Sequence, residues 1–156
     1  VGIENSDDAW MRYAIRLAQR AEQQGEVPVG AVLVANDQCL AEGWNSPIKN
    51  HDPTAHAEIT AIRKAGRFIE NYRLIDSTMY VTLEPCVMCM GAIVHARIKK
   101  LELGAYDPKR GAVCNALNLS NADFLNHQID WQGGVLESDC AELLTDFFKA
   151  KRKKAL

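Results

Sequence analysis

Between residues 7 and 24 apolar side chains recur every three to four positions, at Met11, Ala14, Ile15, Ala18 and Ala21, with Gly25 placed as a stop. The spacing predicts an amphipathic helix that serves packing. The period then changes. Residues 27–35 are rich in β-branched side chains, Asn36-Asp37 reads as a turn, and 38–44 return as the second strand of a hairpin, with Pro28 marking the start of the first. An irregular stretch, 45–53, leads to a helix capped by Asp52 or Thr54 that runs to about Lys64, before Gly66. Residues 78–83 predict a buried strand, and 86–97 a helix with Ile93 and Val94 on its apolar side. Residues 100–104 predict a fourth strand and 127–131 a fifth, ahead of Gly133-Gly134. From about Leu136 a last helix puts Leu136, Cys140, Leu143, Leu144 and Phe147 on one face. The strand–helix–strand run implies a right-handed crossover between parallel strands, and helices on both faces of a mixed five-stranded sheet give a three-layer α/β/α domain.

Length and charge narrow this reading. At 156 residues and 47% hydrophobic, the chain (1–156) is expected to form one domain ending in a basic tail at 149–156. Eighteen basic against 20 acidic residues leave a net charge of −2, so any polyanion must be bound by local patches. No apolar run approaches a membrane span, and the acidic start lacks the basic and apolar regions of a signal peptide. A cytoplasmic protein without a membrane partner is expected, and the missing initiator Met suggests a trimmed chain.

Two short stretches carry the chemistry: His56-Ala57-Glu58, an H-x-E, and Pro85-Cys86-Val87-Met88-Cys89, a P-C-x-x-C. Alone, a C-x-x-C is also a redox pair, and a single His is more often a hydrogen-bonded structural residue. Together they offer one imidazole and two thiols to a single Zn2+ and leave its fourth position open, as catalytic zinc sites do. Cys86 and Cys89 share a helical face. His56 and Glu58 would point about 200° apart on a regular helix, so both serve one site only at a helix start. The zinc is therefore expected between two helix N-termini, with Glu58 beside it as the proton carrier. Cys39, Cys114 and Cys140 are left as reduced thiols.

Glu26-Val27-Pro28-Val29-Gly30-Ala31, Gly43-Trp44-Asn45, His51-Asp52-Pro53-Thr54-Ala55-His56-Ala57-Glu58, Tyr72-Arg73-Leu74, Tyr80-Val81-Thr82-Leu83-Glu84-Pro85-Cys86-Val87-Met88-Cys89 and Asp146-Phe147-Phe148 together resemble the bacterial tRNA-specific adenosine deaminases, of the cytidine/deoxycytidylate deaminase superfamily. The likeness spans residues 10–152. It implies a cytidine deaminase-like fold and a homodimer that converts the wobble adenosine of a tRNA anticodon loop to inosine. It also implies substrate contacts from Asn45, Asp107, Lys109, Asn126, Phe148 and Arg152, with Asn45 reading the base edge. His51 is left to orient its loop.

A purine stacked in a helix cannot reach a buried ion, so the substrate is expected to be an unpaired nucleotide splayed into the pocket. Phe148 and the cations Lys149, Lys151, Arg152, Lys153 and Lys154 offer an aromatic face and positive charge to such a strand, although a charge run also suits a solvated helix end. Met90 stands where relatives usually carry a small residue, and Ala112-Val113-Cys114-Asn115 replaces a Gly- and Ser-containing segment. Both are expected near the pocket or the dimer face. Two other functions remain compatible with the residues: a deaminase of free nucleobases or nucleosides, and a non-catalytic zinc-stabilised RNA-binding module.

Overall fold

Ser6 opens the first helix by accepting the Ala9 N–H on its hydroxyl at 3.2 Å. In the computed structural model, which describes residues 6–155, this helix (α1) spans Asp7–Gln23 and buries Met11, Ala14, Leu17, Ala18 and Ala21. Leu17 takes the core place expected of Ile15, which is only half-buried. Gly25, at φ +80°, ends the turn that follows. The chain start, on which the expectations of a trimmed chain without a leader rest, lies outside the described residues.

The hairpin pairs β1 (Gly30–Ala35) with β2 (Gln38–Trp44) in antiparallel register from Gly30 opposite Trp44 to Ala35 opposite Gln38. Asn36 and Asp37 both take positive φ, as a two-residue hairpin turn requires. The first strand starts later than expected, because Pro28 has no N–H to give a ladder. A four-residue helical turn, α2 (Pro47–Asn50), breaks the stretch expected to be irregular. The helix α3 covers Ala57–Ile69; it runs through Gly66 and stops at Glu70, so that glycine is not its end. Next come β3 (Thr78–Leu83), α4 (Val87–His95), β4 (Lys100–Ala105), a three-residue β5 (Asp130–Gln132) and α5 (Glu137–Ala155).

The five strands form one sheet in the order β2-β1-β3-β4-β5. The hairpin is antiparallel to itself and to β3, whereas β3, β4 and β5 run parallel. Alternation along the strands makes two apolar layers. Ala31, Leu33, Met79, Val81, Leu101 and Leu103 pack with Ala57, Ala61, Met90 and Ile93 of α3 and α4. On the other face Val32, Val34 and Tyr80 meet Met11, Ala14, Leu17 and Cys140 of α1 and α5. The result is the expected three-layer α/β/α arrangement. Two glycines set the helix–sheet spacing. A Cβ at Gly30 would run into the Ala14 carbonyl and Ala18 nitrogen of α1, and one at Gly43 into the Ala57 carbonyl and Ala61 nitrogen of α3.

Candidate metal centre and active site

Helices α3 and α4 begin side by side at one end of this frame. Their N-cap residues are His56 and Cys86, both extended, and neither side chain caps its own helix. The imidazole and thiol turn toward each other instead. Cys86 Sγ lies 3.7 Å and Cys89 Sγ 3.4 Å from His56 Nδ1. These three donor atoms all lie within 4.8 Å of one another. Zinc bound tetrahedrally, at roughly 2.3 Å to sulfur and 2.0 Å to nitrogen, holds S and N about 3.5 Å apart, so the donor set fits zinc.

Neither Asp52 nor Thr54 caps α3. Asp52 Oδ1 instead accepts the Thr54 N–H at 2.9 Å and its hydroxyl at 2.7 Å, closing a turn ahead of the helix. With His56 committed to the donor set, Asn45 does the capping from 12 residues away: its Oδ1 accepts the Ala57 N–H at 2.9 Å and its Nδ2 donates to Val27 O at 3.1 Å. One amide hydrogen of Asn45 is left over. His51, exposed, ends α2 at φ +49° and is not among the three donors.

Protons are shared unequally across the donors. The Cys86 thiol is pulled down to about 3, first by the hydrogen bond from the Cys89 thiol and then, against burial, by His56. Cys89, which donates to that thiolate, is pushed far up, and the Cys86 hydrogen bond raises His56. A cation replaces such shared protons, so metal uptake releases them. Glu58, 4% exposed, stands two residues after His56. Burial pushes its carboxyl up to about 7, its own backbone N–H pulls against this, and the Cys86 charge adds to it. A carboxyl near the working pH both accepts and returns protons.

These groups open into a cavity of about 240 Å³. Val27, Val29, Pro47 and Leu83 give it apolar walls, and Asn45, Glu84, Asp107 and Arg110 join His56, Glu58 and Cys86 as its polar lining. Its size is below the roughly 300–1,000 Å³ of pockets for larger ligands and suits one planar ring system. Of the substrate contacts expected from the sequence, Asn45 and Asp107 line it. Lys109 does not. Asp107 Oδ1 accepts both the Lys109 and Arg110 N–H groups at 3.1 Å, and of these two exposed residues this turn brings Arg110, not Lys109, to the cavity rim. Asn126, Phe148 and Arg152 are exposed and lie outside the lining. Phe148 rests edge-on against Phe147, with ring centres 5.3 Å apart. Met90 is 1% exposed and sits in the core between sheet and helices, not at the pocket, because the residue after Cys89 on α4 turns away from the metal face.

Two buried carboxylates hold the rim: Glu26, which sequence reasoning gave no role, and Glu84, which it placed near the metal at the end of the 78–83 strand without this role. Glu26 accepts the Ile48 and Lys49 N–H groups at 3.2 and 2.9 Å and so caps α2, which carries Pro47. Glu84 holds the segment from Asp107 to Asn115. The available signal was an acid on either side of an apolar strand region, directly before Val27-Pro28 and Pro85-Cys86.

The model of the cytidine and deoxycytidylate deaminase zinc-binding region matches residues 4–105. A tRNA-specific adenosine deaminase of Haemophilus influenzae is 49% identical over 95% of this chain and 86% of its own. A solved structure from work on A-to-I editing by tRNA:A34 deaminases at the wobble position of transfer RNA superposes with a TM-score of 0.84. It is 42% identical, over 86% of this chain and 97% of that one. A guanine deaminase of Bacillus subtilis covers 62% of each chain at 43% identity and a TM-score of 0.60.

Proposed function

The chain belongs to the tRNA-specific adenosine deaminases, within the cytidine and deoxycytidylate deaminase zinc-binding family, and from this premise we propose that it hydrolyses the wobble adenosine of a tRNA anticodon loop to inosine. The observation that carries the reading is one small cavity lined at once by two of the three metal donors, a buried carboxylate and an amide. His56, Cys86 and Cys89 would hold one zinc ion, which when bound supplies Lewis-acid activation of a water molecule.

The rest is work for this chain's own groups. Glu58 takes a proton from the attacking water and delivers protons to the purine ring nitrogen and to the departing amine. A C–O bond forms at C6 of adenine, the C6–N6 bond breaks, and ammonia leaves. Asn45, fixed by its bonds to Val27 and Ala57, turns its remaining amide hydrogen to the base edge. Val29 and Leu83 favour a ring in the cavity over solvent. Asp107 keeps its second carboxylate oxygen for a ribose hydroxyl.

Lys109, Asn126, Phe148 and Arg152 belong to the same reading as contacts to the strand outside the flipped nucleotide. It takes residues 1–156 as one deaminase domain working in the cytoplasm, where its tRNA is. Homodimer formation is part of it too: Phe68, Ile69, Tyr72 and Ile75 supply exposed apolar surface of the kind a second copy covers. The decisive experiment is mass analysis of nucleosides after incubating the zinc-loaded protein with tRNA and with an anticodon stem-loop. Inosine in both supports the reading. Turnover of free guanine or cytosine alone would replace it with a free-base deaminase, and no turnover of any nucleobase with retained RNA binding would leave a binding module.

A further inference from the structure

Glu84 is 2% exposed, immediately after β3 and two residues before the donor Cys86. No salt bridge involving it is found among the described residues. Its partners all come from one segment. Oε1 accepts the Asp107 N–H at 3.1 Å and a hydrogen bond from the Asn115 amide, while Oε2 accepts the Val113 and Cys114 N–H groups at 3.1 and 3.0 Å. Pro85, next in the chain, accepts the Ala112 N–H on its carbonyl at 2.8 Å. At Gly111 the fit is close enough that a Cβ would overlap the Glu84 carboxyl. The segment is therefore wrapped around a side-chain anion.

That segment is also the cavity wall that carries Asp107 and Arg110. We propose that Glu84 is a positioning residue that fixes this wall, and through Arg110 sets the enzyme's affinity for the sugar–phosphate of the flipped nucleotide without taking part in the chemical step. This rests on the RNA reading above. The chemistry requires a carboxylate: four donors converge on two oxygens, and an amide of the same shape would aim its own NH2 at backbone N–H groups. A wall released from Glu84 leaves the zinc donors and Glu58 on their helices but lets the Arg110 guanidinium wander from the phosphate it would pair with. Met90 and the 112–115 segment thereby part company. The first is core, whereas Val113, Cys114 and Asn115 are three of the four donors to Glu84.

The test uses the full zinc-loaded chain and an anticodon stem-loop, with the variants Glu84→Gln, Gly111→Ala, Arg110→Ala and the double variant Glu84→Gln/Arg110→Ala. Loss of binding that is equal in ground and transition states raises KM and spares kcat. Glu84→Gln and Gly111→Ala should each raise KM about tenfold, with kcat within about threefold of wild type and zinc at its wild-type stoichiometry. The double variant should be no worse than the worse single one, because both remove the same interaction. If Glu84→Gln does not fold, Gly111→Ala reads the same displacement from the other side. Unchanged KM in both variants would overturn the role. So would additive losses with Arg110→Ala, or zinc loss with kcat and KM altered together. A wild-type enzyme inert toward the stem-loop would instead overturn the RNA reading, and that result is separable because it appears before any variant is made.

Discussion

His56 and Glu58 serve one site because only one of them is helical. His56 is the cap, extended at φ −71° and ψ 158°, so the 200° separation expected within a continuous helix does not arise. The same residue thereby gives up the capping that Asn45 supplies. Glu58 is separable from the metal in function, since it is not among the three donors. Glu58→Ala should keep zinc content and stem-loop affinity near wild type and lower single-turnover inosine formation by about 10² to 10⁴-fold, the range of general acid–base catalysis. Metal analysis, binding and turnover on one preparation check it, and retained turnover would remove Glu58 as the proton carrier. Asn45 holds two elements together as well as lining the cavity. Asn45→Ala is therefore expected to lower stability as well as affinity, by about 1 kcal/mol for the missing cap, seen as a reduced melting temperature alongside a raised KM.

At the scale of elements, the centre is two helix starts held against a sheet. Their N-terminal dipoles favour thiolate, and Cys86 and Cys89 sit at the cap and third positions of α4. Cys86→Ala or Cys89→Ala should abolish stoichiometric zinc and activity together; full zinc in the double variant would dissolve the site. The glycines make a subtler prediction. Gly30→Ala and Gly43→Ala both force backbone apart and should each destabilise by a few kcal/mol, as overpacking does. Only Gly43 abuts the first turn of α3, beside His56, so only Gly43→Ala should also weaken zinc binding, measured by chelator competition on folded protein. The elements themselves were legible because period and turn chemistry are local. Gln38–Trp44 and Thr78–Leu83 fall where alternation and the Asn36-Asp37 turn place them. Helix ends were not legible wherever tertiary packing overrode a local stop, as at Gly66 inside α3, or where the N–H groups of α2 and α3 are capped by the distant Glu26 and Asn45. That His56, Cys86 and Cys89 come together was legible from the H-x-E and P-C-x-x-C patterns taken jointly. The wall was not, since Glu84 and Arg110 come to line one cavity only through a fold that returns residues 107–115 to the end of β3.

For the whole molecule, RNA binding has to overcome a net charge of −2, so it depends on where the cations stand. Lys149, Lys151, Arg152, Lys153 and Lys154 crowd the end of α5 and are exposed. Cys140, near the start of that helix, packs against Gly104, close to the end of β4 that leads into the Asp107 wall. Twelve residues further on, at 1.5 Å per residue, Arg152 lies about 18 Å along the helix from Cys140. Within one chain the tail thus lies away from the cavity that Arg110 lines, so on the proposed function it would meet phosphates outside the cavity and Arg110 one at its rim. The two sets of cations should separate in experiment. Replacing Lys151, Arg152, Lys153 and Lys154 with neutral residues should weaken stem-loop binding and reduce the slope of log K against log salt by roughly 0.7 for each single-strand phosphate that is no longer neutralised. The rate at saturating RNA should stay at its wild-type value, because no group in the cavity has changed. An unchanged slope would mean that the run only solvates the end of α5, where cations also suit the helix dipole. A lower saturating rate would mean that the tail reaches a catalytic cavity, which within this chain its distance from Cys140 argues against and which a second copy in a homodimer would have to supply.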